Sequence, residues 1–378
     1  MLPHEFARQA ADRAARTPMK LGQAPAQLAR LATAEPDETP YEVVYEESPV
    51  RLRRYEPRGG SVRDAPVVIA YAFINDPSIL DFAPDRSVIR GFCERGFPVY
   101  VVDWGDASPI DRSLGLGDYV VRYLRNCVDV AREETGAEAV HLLGYSTGAP
   151  LSAGYAGVFP ETVRTLLLQG PPLAFGDGDT DGEPDTERSV DEVDGMDLFR
   201  TLAAEHDPGL VAETFDTVPT PLLELVLALR KPVEYAVTNP LRLWDRLDDD
   251  ATVEEYGRKL DWVRGGPALP ATAYREFVED LLLENRLLEG EWELLGHAVD
   301  LDRIEMPVAL VIGRDDAFVP RSASVPFLDA IPSAETRIFE SPVGHVGLSV
   351  SREAHADAWP RVHEWVAARE RAGFELTE

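Results

Sequence analysis

From Pro66 onward the chain alternates short runs of Val, Ile and Leu with stretches of helical spacing, and this alternation constrains its fold more than any other feature. The runs are Val67 to Ile74, Val99 to Asp103, Val140 to Tyr145, Leu166 to Leu168, Val308 to Ile312 and Thr336 to Phe339. Short apolar runs without polar alternation suit strands buried on both faces, and helical connections between such strands make them parallel. The predicted class is α/β, a mostly parallel, doubly wound sheet. Ahead of it, residues 1–40 are Ala-, Arg- and Gln-rich with helical spacing, and they end in a breaker stretch, Pro36 to Pro40, before a strand-like Tyr41 to Tyr45.

Between about 176 and 300 the alternation lapses. An acidic loop, Gly176 to Asp194, leads into helical segments around Leu222 to Leu229, Leu241 to Leu247 and Phe277 to Leu288. A helical insertion between consecutive strands of an α/β core is a cap, serving either as a plain cover or as a lid that excludes water. The expected organisation is an N-terminal helical segment (1–40), a core made of 41–175 and 301–378, and a cap insertion (176–300).

Composition narrows the partners. Acidic residues number 67 against 37 basic, a net charge of −30, and the only lysines are Lys20, Lys231 and Lys259. Such a surface repels nucleic acid and anionic membranes. It suits molar salt, where the Debye length shrinks to about 3 Å, and so predicts a halophilic source. With no apolar opening segment and no run of about 18 uncharged apolar residues, a cytoplasmic protein without a membrane span is expected. Cys93 and Cys127 sit in apolar periodic segments and read as buried small hydrophobes, not as a disulfide or metal site. CxxC pairs, HExxH, a P-loop and a dinucleotide fingerprint are all missing, so neither metal nor cofactor is expected.

The chemistry centres on Gly144-Tyr145-Ser146-Thr147-Gly148, which follows the run at Val140 and precedes a helical stretch through Tyr155 and Phe159. In such a strand–turn–helix elbow, small residues two before and two after the serine let strand and helix approach closely and expose the hydroxyl. A serine hydroxyl needs a positioned base, and the base an orienting acid. The run at Val308 enters Gly313-Arg-Asp-Asp316, where Asp316 is the candidate acid and Asp315 the alternative. The next run leads to Ser341-Pro-Val-Gly-His345, the one histidine of the seven in a glycine-flanked loop after the acid. The chain order Ser146, Asp316, His345 is that of the α/β-hydrolase fold. The oxyanion hole is expected from the backbone N–H of Thr147 and, after the first core strand, of Ile74.

The residues also resemble the catalytic subunit of class III polyhydroxyalkanoate (PHA) synthases, from about Tyr41 to Ser351. Tyr71-Ala-Phe-Ile-Asn-Asp-Pro77, Leu80-Asp-Phe82, Val99-Tyr-Val-Val-Asp-Trp-Gly105, Leu142-Leu-Gly-Tyr-Ser-Thr-Gly148, Leu260-Asp-Trp-Val263, Tyr274-Arg-Glu-Phe277 and Gly344-His-Val-Gly-Leu-Ser-Val-Ser351 carry the similarity. The resemblance implies an α/β-hydrolase-fold acyltransferase using 3-hydroxyacyl-CoA, a second synthase subunit as partner, and association with PHA granules. Two positions depart from the family pattern. The family nucleophile is cysteine where this chain has Ser146, and the family acid is commonly followed by histidine where Asp316 is followed by Ala317.

A thiolate exchanges one thioester for another at little cost, whereas an acyl-serine is an oxygen ester that only His345 can help form. Three outcomes are therefore open: a synthase-like acyltransferase, a serine esterase acting on ester or PHA, and an inactive granule-binding partner.

Overall fold

The computed structural model describes residues 19–20, 22–27, 29–31, 38–175, 195–205, 207–219 and 243–370. Eight strands form the main sheet: β1 (Tyr41–Glu47), β2 (Val50–Tyr55), β3 (Val67–Ala70), β4 (Val99–Asp103), β5 (Val140–Tyr145), β6 (Val163–Gln169), β7 (Val308–Gly313) and β8 (Thr336–Ser341). Their order is β1-β2-β4-β3-β5-β6-β7-β8. The six strands from β4 to β8 are parallel, and the β1–β2 hairpin joins antiparallel at the β4 edge.

Because side chains alternate across a strand, the apolar runs feed two cores at once. Val68, Ala70, Leu142, Leu166, Leu168 and Leu310 point into a cluster shared with the helix Gly148–Val158. Val67, Ile69, Leu143, Leu167, Ala309 and Val311 point the other way, onto the helices Val88–Cys93 and Ala358–Ala368. Cys93 and Cys127 are free, buried thiols in separate clusters, and burial pushes the Cys93 thiol up to about 12.

Three elements differ most from expectation, while β1 and β8 each run two residues further than read, to Glu47 and Ser341. β3 ends at Ala70, not Ile74: β5 turns away at the elbow, and the Tyr71 carbonyl accepts instead from Trp104 Nε1 at 2.7 Å. The Leu166 run is longer, Val163–Gln169, flanked by β5 and β7 throughout its centre. β2 was not anticipated, although Val50-Arg51-Leu52 alternates; two arginines at its centre hide it, of which Arg53 is ion-paired to Asp103 at 2.6 Å.

The chain runs from β3 to β4 on one side and then crosses to β5 on the other, so the loops leaving β3 and β5 diverge and open a crevice at the strands' carboxyl ends. Sites of α/β sheets form at this topological switch.

Between β6 and β7, the acidic loop (176–194) and the Leu222–Leu229 segment lie outside the described residues, as do residues 241–242 of the Leu241–Leu247 segment. The rest comprises helices Gly195–Glu205, Pro208–Thr214, Asp250–Arg264 and Ala271–Glu276, the last running on into a wider turn at Phe277–Leu283. Phe277, Leu281, Trp292, Leu294 and Val299 belong to the cluster that buries the Gly148–Val158 helix, so packing runs without a break across residue 300. Of the N-terminal segment, residues 19–31 are helical where described, and they dock on this part: Lys20 Nζ donates to the Trp244 and Asp245 carbonyls, and Arg30 pairs with Asp250 and Glu254. Among the described residues no helix is long and apolar enough to cross a membrane.

Candidate active site

Ser146 stands at the end of β5 with φ of +51°, a left-handed conformation that a non-glycine residue adopts at a cost of order 1–3 kcal/mol. The surroundings hold it there. Its N–H donates to the Gln169 carbonyl of β6 at 2.8 Å, and its carbonyl accepts from Ala149 N at 2.9 Å. A Cβ on Gly148 would lie 2.3 Å from the Ala70 carbonyl oxygen, and one on Gly144 would lie 2.6 Å from Ala149 Cα. The two elbow glycines are therefore required by backbone packing on either side of the serine.

His345 arrives on the loop after β8. Its Nε2 is 2.9 Å from Ser146 Oγ, and its Nδ1 is 2.8 Å from Asp316 Oδ2. Asp316 lies just past β7, and its other oxygen, Oδ1, accepts from the N–H groups of Phe318 and Val319, both at 2.9 Å. With the Asp316 side chain 1% exposed and that of His345 11%, the pair is shielded from water. Asp315, the alternative acid, is exposed at the surface.

Thr147 is the N-cap of the helix Gly148–Val158, so its N–H belongs to the unpaired set at the positive end of that helix. Its own hydroxyl is buried without a partner. Ile74 lies half-buried in the loop after β3, one residue before Asn75, whose φ is +73°. The contact of Gly148 with Ala70 and Tyr71 brings that loop's start against the elbow.

Three residues around the site were not singled out in the sequence. Gly170, with φ of +54°, lies under the imidazole: a Cβ there would be 2.8 Å from His345 Cε1. Its place directly after β6 was the available signal. Phe318 presents its ring edge-on to His345 at 5.2 Å, and Trp262 Nε1 donates to Tyr71 Oη at 3.1 Å and to the Asp76 carbonyl at 2.9 Å. Nothing local in the sequence marks either contact, because both span distant segments.

The other described histidines serve the scaffold. His141 is buried with Nδ1 2.8 Å from Thr165 Oγ1, His355 Nε2 contacts the Ser349 carbonyl at 2.7 Å, and His297 is exposed. His363 is buried with neither ring nitrogen hydrogen-bonded, and burial holds it well below the usual histidine range. Among the described residues no group of three or more His, Cys, Asp or Glu is placed to hold a metal ion.

Residues 66–203 match the family described as alpha/beta hydrolase fold. Of solved structures, a monoglyceride lipase from Saccharomyces cerevisiae superposes with a TM-score of 0.51 at 13% identity, over 88% of this chain and 95% of that one, a likeness of fold alone. The poly(3-hydroxyalkanoate) polymerase subunit PhaC of Haloferax mediterranei is 41% identical over 90% of this chain, which spans 66% of that relative's length. The PhaC subunit of Haloarcula marismortui is 38% identical over 92% of this chain and 72% of its own length. Both relatives come from haloarchaea, in keeping with the acidic, lysine-poor composition. Sequence likeness running through core and cover alike places this chain in the family of poly(3-hydroxyalkanoate) polymerase subunits built on the α/β-hydrolase fold.

Proposed function

We propose that the chain is a PHA synthase-like acyltransferase that takes 3-hydroxyacyl-CoA through an acyl-serine intermediate, with Ser146 as nucleophile, His345 as base and Asp316 as the group that orients it. The observation that carries this reading is the continuous hydrogen-bonded chain Ser146 Oγ–His345 Nε2 and His345 Nδ1–Asp316 Oδ2, at 2.9 and 2.8 Å, in a member of the polymerase family.

Ser146 Oγ attacks the thioester carbonyl while His345 Nε2 takes its proton. The oxyanion is met by the Thr147 and Ile74 N–H groups, each such donor contributing about 3 kcal/mol. Collapse breaks the C–S bond, and His345 returns the proton to the departing sulfur as free CoA. The hydroxyl of a second 3-hydroxyacyl group then attacks the acyl-serine, His345 carries that proton to Ser146 Oγ, and a new ester bond forms. Asp316, held by two backbone N–H donors, keeps the imidazole in the orientation and tautomer both steps need. No cofactor enters this scheme; acyl-CoA is the substrate. Residues 176–300 serve as the cap that keeps water from the acyl-enzyme. A second synthase subunit and a PHA granule are the partners this reading assigns, and the granule surface is its place of work.

One observation favours a second reading. The nucleophile is an alcohol, and an acyl-serine formed downhill from a thioester is also open to water, so the same triad serves an esterase that yields free hydroxy acid. Supplying the purified protein with 3-hydroxybutyryl-CoA in molar KCl, while following both free CoA and product size, separates the two. Polymer with CoA release is the expected result; CoA release with only free hydroxy acid makes it a hydrolase, and no CoA release overturns both.

A further inference from the structure

Three cations gather on one aromatic ring. Arg86 Cζ and Arg258 Cζ each lie 5.2 Å from the centroid of Phe82, and Lys259 Nζ lies 5.5 Å from it. In a chain of net charge −30 with three lysines, positive charge is scarce, and its concentration at one point marks an attraction for anions. The protein's own carboxylates answer it only in part. Glu255 pairs with Arg86 at 2.5 Å and reaches Arg352 at 3.5 Å, while Arg352 also meets Asp85 at 3.6 Å. Neither Arg258 nor Lys259 is ion-paired among the described residues.

Two of these cations, Arg86 and Lys259, line a cavity of about 600 Å³ whose walls also include Tyr256, Trp262, Val346 and Arg352, with Glu353 as the one carboxylate among its described lining residues; Arg258 faces a separate cavity beside Asp76 and Asp261. Its position ties it to the catalytic crevice. Val346 directly follows His345, and Trp262 is bonded to the Tyr71–Asp76 loop that carries Ile74. Tyr256 and Trp262 offer flat faces against which a purine can stack, as aromatic side chains do for bases. Lys259, and Arg352, which is largely exposed and held among the described residues only by the longer contacts to Glu255 and Asp85 at 3.5 and 3.6 Å, can turn toward phosphate oxygens.

We propose that this cavity seats the phosphorylated nucleotide end of the acyl-CoA, with Lys259 and Arg352 on its phosphates and an aromatic wall on its purine. The assignment rests on the acyl-CoA reading above and adds a second anchor, from which the flexible arm of the thioester runs past Val346 to Ser146. Glu255 then acts as a brace that holds Arg86 and Arg352 at the cavity mouth.

The test compares two thioesters of one acyl group, 3-hydroxybutyryl-CoA and its N-acetylcysteamine analogue, which lacks the nucleotide and its phosphates. In the double variant Lys259→Met/Arg352→Gln, KM for the CoA thioester is expected to rise at least tenfold while the analogue's kinetics stay within about twofold, since charge-assisted contacts are lost only for the former. Adenosine 3′,5′-bisphosphate should compete with the CoA thioester in the parent protein and not in the variant. Unchanged KM, or equal loss on both thioesters, overturns the assignment, and competition by inorganic phosphate as strong as by the bisphosphate overturns the nucleotide part of it. Should the parent protein turn over neither thioester, the acyltransferase reading fails by itself; equilibrium dialysis of the bisphosphate then decides the cavity, with saturable binding lost in the variant supporting it and absence of binding overturning it.

Discussion

The elbow and the cover above it are held by different forces. Around Ser146 the links are backbone to backbone: Ser146 to Gln169, Ala149 to Ser146, and Gly148 against Ala70 and Tyr71. The helix that follows is buried along its whole length. The helix Asp250–Arg264 is tied down instead by side chains, through Arg86–Glu255, Arg30–Asp250 and the Trp262 indole. Dense packing leaves the first region a single arrangement. Ion pairs at a half-exposed boundary leave the second dependent on salt and able to shift. The hydrogen-bonded set Ser146, His345 and Asp316 sits in the rigid part, and the wall proposed for the substrate's far end sits in the adjustable one.

The largest effect expected on either region is chemical. Ser146→Ala should cut turnover by about 10⁴-fold or more while the thermal midpoint stays near the parent value, because a triad works as a unit and the elbow's backbone is untouched. Substantial residual turnover in steady-state assays places the nucleophile elsewhere. The next test strikes the frame itself. Gly148→Ala puts a methyl group against the carbonyls of Ala70 and Tyr71, neither of which can move aside cheaply, so a loss of about 2–3 kcal/mol in denaturant titrations is expected. If stability is kept, the elbow is softer than its contacts indicate.

A third experiment concerns pH. Burial lowers His363 well below its ordinary value, and it also lowers His141 and His355. The unfolded chain then binds protons that the folded one refuses. Stability from this source is complete above about pH 6.5, the ordinary histidine value, and is lost as pH falls below it. His363→Leu should flatten part of the fall in melting temperature between pH 7 and 5; an unchanged slope assigns the fall to other groups.

The smallest effect tests the cover. Burial alone raises the Glu255 carboxyl, but the hydrogen bond and charge of Arg86 outweigh it and hold it below its usual value. Removing that charge in Glu255→Gln should cost about 1 kcal/mol at low salt and less in molar KCl. The parent protein's melting temperature should meanwhile rise with KCl as self-repulsion among its acidic groups is screened. A flat or falling curve breaks the argument from charge, and a salt-independent Glu255→Gln breaks the contrast between frame and cover.

Where strands are buried on both faces, composition alone marks them, so β4, β5 and β7 were legible within a residue at each end. The elbow was legible for the same reason, since a local turn needs local glycines. Hidden were features that depend on what lies across the fold: the early end of β3, set by the turning away of β5; β2, whose Arg53 is paired with Asp103; Gly170 beneath the imidazole; and the contacts of the Phe318 ring with His345 and of the Trp262 indole with Tyr71.

The class of fold, and the three candidate side chains Ser146, Asp316 and His345 with their order, were readable from the chain alone, because periodicity and turn chemistry are local properties. Tertiary structure decided the rest. It chose Asp316 over the exposed Asp315, set the three groups within hydrogen-bonding reach of one another, and gathered Arg86, Arg258 and Lys259 around one ring. Those outcomes depend on distances between residues far apart in the chain, and such distances exist only once both faces of the sheet have been packed.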